Sequence, residues 1–234
     1  MRLLGYQIDT SYSNLLDKKK SIINTINPHS YILAKKDIAF QVSLKSSDVL
    51  LPDGIGIVWA IKVLHGKKIR KISGYDIFTY LMNELNKSKG SCFFMGSSEK
   101  TLKQIKKNAK VDFSNVDTHF YSPPFKSKFS KHENNLIIEN INKVKPTVLF
   151  VGMTAPKQEK WVYENKDNVN ANIICSIGAV FDFYAGTVKR SSPFWINIGL
   201  EWVPRFFQQP SKLWRRVFIS NPLFVIDVLK NKFF

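Results

Sequence analysis

The sequence has little with which to staple itself, cross a membrane or hold a metal. It has two cysteines, Cys92 and Cys175, each inside an apolar run. They read as small core residues of a reducing compartment rather than a disulfide. Four scattered histidines add no zinc-ligand spacing. No apolar run approaches the ~20 residues of a spanning helix, and the opening MRLLGYQIDTSY lacks the apolar core of a secretion signal. The expectation is a cytoplasmic protein, or one peripheral on the inner face of the cell membrane. A dinucleotide fingerprint is missing, because Trp59 stands where G-x-G-x-x-G needs its third glycine. There is no internal repeat of fixed period and no low-complexity segment. Acidic residues are scarce: 18 against 35 basic ones, a net charge of +17. A field of that sign favours anionic partners, whether nucleic acid, an anionic membrane or a phosphorylated substrate, and composition does not choose among them.

What is present is a body of alternating strands and helices. The 234 residues, 44% hydrophobic, suit one large domain with a small appendage. Residues 3–9 suggest a short strand. Asn14–Ile26, with Leu15, Leu16, Ile22 and Ile23 among lysines, suggests an amphipathic helix. A second helical pattern runs through Ile32, Leu33 and Ala34. Asp48–Leu51 reads as a strand, followed by helix Ile57–Leu64 with Gly66 as its stop. Ser91–Gly96, Val116–Tyr121, Thr147–Val151 and Asn172–Gly178 read as further strands, with helices Glu99–Ala109 and Asn134–Val144 between them. Three of these runs end in glycine, at Gly96, Gly152 and Gly178. Such alternation predicts an α/β fold: a Rossmann-like, mainly parallel sheet covered by helices. Residues 194–234 differ in character, with ten aromatics, and residues 189–234 hold eight basic residues against Glu201 and Asp227. They predict a helical, basic and aromatic C-terminal appendage (194–234) on an α/β domain (1–193).

The organising stretch is VLFVGMTAPKQEKW, residues 148–161. An apolar strand buried on both faces breaks at Gly152, and Pro156 sits where a first helical residue would. Lys157, Gln158 and Glu159 then fall near the strand's carboxyl end, where open α/β sheets bind ligands. A second turn, Pro52-Asp53-Gly54-Ile55-Gly56, precedes a helix whose positive end faces it. Glycines there allow close backbone approach, and a carboxylate can serve as general base or simply cap the turn. Thr25 and Asn27 lie one supersecondary unit earlier, and Thr25 equally suits a helix cap. Asp182 follows an apolar strand and suits either a ligand hydroxyl or backbone amides. Arg190 suits a phosphate contact or a solvated charge. In the tail, which also holds Lys212, the guanidiniums of Arg205, Arg215 and Arg216 suit diphosphate oxygens, and the aromatics beside them suit either a headgroup interface or docking on the core.

These segments resemble, in unbroken order from about residue 3 to 220, the WecG/TagA/CpsF family of bacterial glycosyltransferases. VGMTAPKQEKW is similar to the family's G-x-P-K-Q-E-x-W. Thr25-Ile26-Asn27 is similar to T-x-N, and Asp53–Gly56 to D-G-x-G. Lys71–Asp76 is similar to R-x-[ST]-G-x-D, and SIGAVFDFYAGTVKR to G-x-x-F-D-x-x-A-G-x-x-x-R. The tail resembles G-L-E-W-x-x-R … P-x-R-x-x-R-R. Lys71 and Lys212 depart from it, each standing where arginine is usual; lysine keeps the charge without the bidentate fork.

The resemblance implies inverting transfer of a sugar (N-acetylmannosamine-, mannosaminuronate- or glucose-type) from a UDP-sugar to a polyprenyl-diphosphate-linked sugar acceptor, in cell-surface polysaccharide synthesis. It implies Asp53 and Thr25 as catalytic residues. Asn27, Gly54, Gly56, Lys71, Gly74, Asp76, Gly96, Gly152, Pro156, Lys157, Gln158, Glu159, Asp182, Arg190, Arg205, Lys212, Arg215 and Arg216 become substrate-binding residues, with an anionic cytoplasmic membrane surface as a further partner. No cofactor, metal or nucleic acid is implied, and a homo-oligomer is left open. No two acidic residues stand two apart, so the Asp-x-Asp pair with which many nucleotide-sugar transferases hold a metal is absent. The alternatives are a basic nucleic-acid-binding α/β protein and a nucleotide-dependent oxidoreductase.

Overall fold

The structure is a computed structural model that describes residues 1–12, 15–17 and 20–233. A small antiparallel hairpin, β1 (Arg2–Leu3) and β2 (Tyr6–Gln7), leads through a 3-10 turn to β3 (Ser21–Ile26), α1 (Pro28–Lys36), α2 (Ile38–Lys45) and β4 (Val49–Pro52). Next come α3 (Ile55–His65), α4 (Gly74–Ser88), β5 (Ser91–Gly96), α5 (Glu99–Asp112), β6 (Asp117–Tyr121) and α6 (Lys131–Val144). The body closes with β7 (Val148–Gly152), α7 (Lys157–Asn165), β8 (Ile173–Ser176) and α8 (Val180–Ala185). The C-terminal part consists of α9 (Pro193–Asn197), α10 (Trp202–Gln208), α11 (Pro210–Arg215), a π-helical turn Arg216–Ser220 and α12 (Asn221–Phe233).

The main sheet has the order β4-β3-β8-β7-β5-β6 with every pair parallel. That is the expected helix-covered parallel α/β fold. Connections from the adjacent strands β5 and β7 depart in opposite directions, to β6 and to β8. The crevice above their carboxyl ends is therefore the switch point where ligands of such sheets bind.

Both faces of the sheet are covered, which is why its strands read as continuous apolar runs. On one face Ile77, Phe78 and Leu81 of α4, Ile105 of α5 and Phe181 of α8 pack on Ile23, Phe94, Phe150 and Cys175. The other face carries two separate clusters. One joins α6 and α7 to β5, β7 and β8 through Ile137, Trp161, Leu149 and Ile174. The other joins α1, α2, α3 and α12 to β3 and β4 through Tyr31, Phe40, Ile57, Phe224, Ile26 and Leu50.

The structure corrects the reading of 14–26 as a helix. Ser21–Ile26 is an interior strand of the sheet, buried along nearly its whole length, and among the described residues of that stretch only Leu15–Asp17 is helical, as one 3-10 turn. Residues 14, 18 and 19, which that reading also covered, lie outside the described residues. Pro156 is the residue capping α7 rather than its first helical residue, and it follows a cis peptide bond. Gly178 lies two residues beyond the end of β8. Helix α4 was not anticipated, although Ser73 and Asp76 form a capping box at its start.

The appendage is anchored at its far end. Phe224 and Val228 of α12 are buried in the α1–α3 cluster, the Phe224 ring meets Tyr31 edge-on at 5.3 Å, and Lys35 pairs with Asp227 at 2.6 Å. Phe194, Phe207, Trp214, Phe218 and Phe233 are left exposed. Among the described residues no helix is long and apolar enough to cross a membrane.

Candidate active site

The candidate catalytic residues leave the carboxyl ends of two adjacent strands. Thr25 on β3 pairs in register with Leu51 on β4, and the Asp53 N–H donates to the carbonyl of Ile26 at 2.9 Å. Asp53 thus stands one strand away from Thr25. The turn works because Gly54 takes φ +90°, which a side chain would strain, and because Gly56 lies against Pro28. A Cβ on Gly56 would come within 2.5 Å of the Pro28 ring. Gly56 thus lets α3 pack closely against α1. Gly54, the residue before α3, caps it with no side-chain hydrogen bond, so Asp53 is not spent as a helix cap.

Around Asp53 the chain gathers charges remote in sequence. The Ile72 N–H donates to the Pro52 carbonyl at 2.9 Å, which brings Lys71 alongside the turn. Lys71 pairs with Glu201 of the appendage at 2.9 Å, and its Nζ is buried with no further hydrogen bond. Gly199 makes this docking possible: it takes φ +76°, and a Cβ there would sit 2.9 Å from Ile55. Burial pushes the Asp53 carboxyl above its ordinary value; Arg216 pulls it down, Glu201 raises it, and Lys71 and Arg205 pull it down further. Burial and the neighbouring Arg216 lower Arg205, while Asp53 and Glu201 hold it up. Its guanidinium lies 4.9 Å from the centre of the Phe183 ring. Three cations and two carboxylates therefore share one partly enclosed site. A carboxyl raised by burial is a proton acceptor poised closer to neutrality than an exposed aspartate. The excess positive charge suits a diphosphate leaving group.

Other predicted residues fall into two groups. Asp182 lines a small cleft with Arg205, Phe183 and Gln209, which joins body to appendage beside the charge cluster. Gln158 and Glu159 are buried together on α7, with Gln158 Nε2 donating to Glu159 Oε1 at 2.8 Å. Gly96 and Gly152 stand opposite one another at the ends of β5 and β7. A Cβ on Gly96 would lie 2.4 Å from the Gly152 carbonyl, and one on Gly152 would strike the Phe181 ring. These two glycines allow close packing at the switch point.

The remaining candidates have structural partners. Asn27 caps α1 in a capping box with Ser30. Ser73 caps α4, and Asp76 completes that capping box by accepting from the Ser73 N–H and hydroxyl; Asp76 also lies 3.9 Å from Arg190, whose guanidinium stacks 4.1 Å over Tyr75. Gly74 packs toward Val180. Lys157 holds its Nζ 3.7 Å over the Phe129 ring and donates to the Lys126 carbonyl. Arg215 is exposed, 5.3 Å from the Trp214 ring centre, and Lys212 is exposed as well. The arginines that face Asp53 are 205 and 216. Glu201, the carboxylate in this cluster that was not singled out from sequence, sits inside the GLEW segment; its companion Lys71 lies 130 residues away, and no local pattern links them.

The fold and this site define a parallel α/β protein with a carboxylate and cations gathered at the strand ends. The chain belongs to the Glycosyl transferase WecG/TagA/CpsF family, whose model matches residues 1–234, and is a glycosyltransferase. It is 29% identical over 226 residues to an N-acetylglucosaminyldiphosphoundecaprenol N-acetyl-beta-D-mannosaminyltransferase of Bacillus subtilis (strain 168), covering 96% of this chain and 86% of that one. It is 30% identical over 227 residues to the protein of that name from Bacillus spizizenii, covering 96% and 84%. A Staphylococcus aureus (strain MW2) protein of the same name is 22% identical over 228 residues, covering 96% and 85%.

Proposed function

We propose that this glycosyltransferase moves an N-acetylmannosamine-type sugar, with inversion, from a UDP-sugar to an N-acetylglucosamine linked through diphosphate to a polyprenol, in the synthesis of a cell-envelope polysaccharide. The observation that carries the proposal is Asp53, half-buried, among Lys71, Arg205 and Arg216 at the end of β4. Asp53 takes the proton of the acceptor hydroxyl as that oxygen bonds to the anomeric carbon. The bond from that carbon to the diphosphate breaks, and its electron pair leaves with the diphosphate. Arg205 and Arg216 stabilise the departing charge, while Thr25, Gln158 and Asp182 orient sugar hydroxyls. The names of the relatives support the acceptor and the transferred sugar.

The exposed Phe207, Trp214 and Phe218 beside Lys212 and Arg215 support attachment to an anionic membrane, where a lipid-linked acceptor resides. The test is transfer from a panel of UDP-sugars to a short-chain polyprenyl-diphosphate N-acetylglucosamine, read as product mass, beside melting temperature with each donor. UDP-N-acetylmannosamine should be used and should stabilise the protein. Transfer from a different donor alone overturns the sugar assignment, and absence of transfer from every donor overturns the acceptor.

A further inference from the structure

The two apolar clusters on the α7 side of the sheet do not meet. Between them runs a seam of buried polar side chains. Asn24 on β3 and Ser176 on β8 follow directly on the paired residues Ile23 and Cys175, so they stand side by side on adjacent strands. Alternation places them on the same face as Ile22 and Ile174, which pack toward α6 and α7. Gln158 and Glu159 of α7, the helix over this face, are buried as well, at 6% and 5% exposure.

Four oxygens there lack a hydrogen-bond partner: Asn24 Oδ1, Ser176 Oγ, Gln158 Oε1 and Glu159 Oε2. Native interiors leave few such groups, and each calls for an unseen partner. The Gln158 amide lies between the turns that follow β7 and β8. Both its ends lie beside Gly178: Oε1 and the Met153 carbonyl are each 3.3 Å, and Nε2 3.5 Å, from where a Cβ on Gly178 would stand. A glutamine amide has two ends, a donor and an acceptor, and here one end is fixed: Nε2 donates to Glu159 Oε1 at 2.8 Å. Glu159 is therefore what leaves the oxygen as the end without a partner.

We propose that Glu159 is a positioning residue for the transfer reaction: by holding the Gln158 nitrogen, it keeps the Gln158 carbonyl oxygen, beside the turn that follows β8, free as the acceptor for a hydroxyl or N–H of the bound sugar. The inference rests on the reading of that edge as the sugar site. Burial raises the Glu159 carboxyl to about 7, and no charged neighbour offsets it. Such a group is costly to bury for packing alone. Without Glu159 the amide is free to flip, and its N–H₂ end would then meet a sugar group that also donates.

The test is a double-mutant cycle on kcat/KM for the donor, with folding checked by circular dichroism. Gln158→Ala should lower kcat/KM by about 10- to 100-fold, the scale of one or two lost hydrogen bonds. Glu159→Leu, or Glu159→Met should the leucine chain not fold, should lower it about tenfold. In the Gln158→Ala background the same change should cost less than twofold. Glu159→Gln, which keeps an acceptor for the Gln158 N–H, should stay within about threefold of wild type. Additive losses in the cycle overturn the proposal, since they mean Glu159 acts independently of Gln158. A Glu159→Gln chain as impaired as Glu159→Leu overturns it too. If Gln158→Ala is fully active, the sugar-site reading of this edge falls, and the proposal with it.

Discussion

Glu159→Gln should make the protein more stable, and by an amount that grows with pH. Glu159 is 5% exposed, and burial lifts its carboxyl from 4.5 to about 7. Below about pH 4.5 the folded and unfolded chains both hold the proton. Between 4.5 and 7 the unfolded chain releases it while the folded chain keeps it, so the unfolded state binds fewer protons and stability falls as pH rises. Above 7 both states are ionised and the loss is complete. Each pH unit across that window costs about 1.4 kcal/mol, a total of roughly 3 kcal/mol. Glutamine has no proton to lose and still accepts from Gln158. Urea unfolding of both chains from about pH 5 to pH 8 reads the effect, and the difference between chains cancels every other titrating group. The gap should be small near pH 5 and approach 3 kcal/mol at pH 8, or about 6–12 °C in melting temperature for a chain of this size. A gap independent of pH, or a wild type that is the more stable at pH 8, refutes the reasoning.

Asp53→Asn should cut turnover by about 10²–10⁴-fold, the usual cost of losing a general base, with donor binding little changed by calorimetry; more than about a tenth of wild-type activity would make Asp53 a turn residue only. Phe207→Ser with Phe218→Ser should weaken co-sedimentation with anionic vesicles and leave the melting temperature within a few degrees, because both rings are exposed; unchanged sedimentation would count against membrane attachment through this face. Removing everything from Phe194 onward is a poorer probe. It also strips Phe224 and Val228 from a core cluster, and losing a buried phenylalanine alone costs about 3–5 kcal/mol. Transfer should persist in chelator, since no acidic pair stands two apart in the sequence and Lys71, Arg205 and Arg216 carry the positive charge; activity lost to chelator and restored by magnesium or manganese would refute this.

The parallel sheet was legible because its strands are short apolar runs closed by turns: Ser91–Gly96 has the boundaries expected of it. The failure at Ser21–Ile26 has a physical cause. A strand buried on both faces shows no alternation, and Ile22, Ile23 and Ile26 are spaced as a helix would space them. Helix α4 could have been read, since Ile77, Phe78, Leu81, Met82 and Leu85 keep helical spacing and are all buried. At the site, the Asp53 turn and the tail arginines were visible as motifs. The choice of Arg216 over Arg215 was not, because it depends on how the π-helical turn rotates the chain after α11. Asn27 and Asp76 likewise sit in motifs, yet their carboxamide and carboxylate are engaged as caps, a use that Ser30 and Ser73 three residues away already signal.

The strand order has a consequence for how the molecule comes together during synthesis. β3 pairs with β4 on one side, a neighbour about one helical hairpin away, but on the other side it pairs with β8, whose first residue is Ile173. The β5-β6-β7 group reaches β3 only through that strand. Until β8 leaves the ribosome, the nascent chain holds two unjoined half-sheets, each with an apolar strand edge open to other chains. Closing them means ordering a loop of well over a hundred residues at once, which favours slow folding and exposes the intermediates to aggregation. The few residues of Ile173–Ser176 are thus the latch of the whole sheet, and a lesion there should be felt in yield from the cell before it is felt in catalysis.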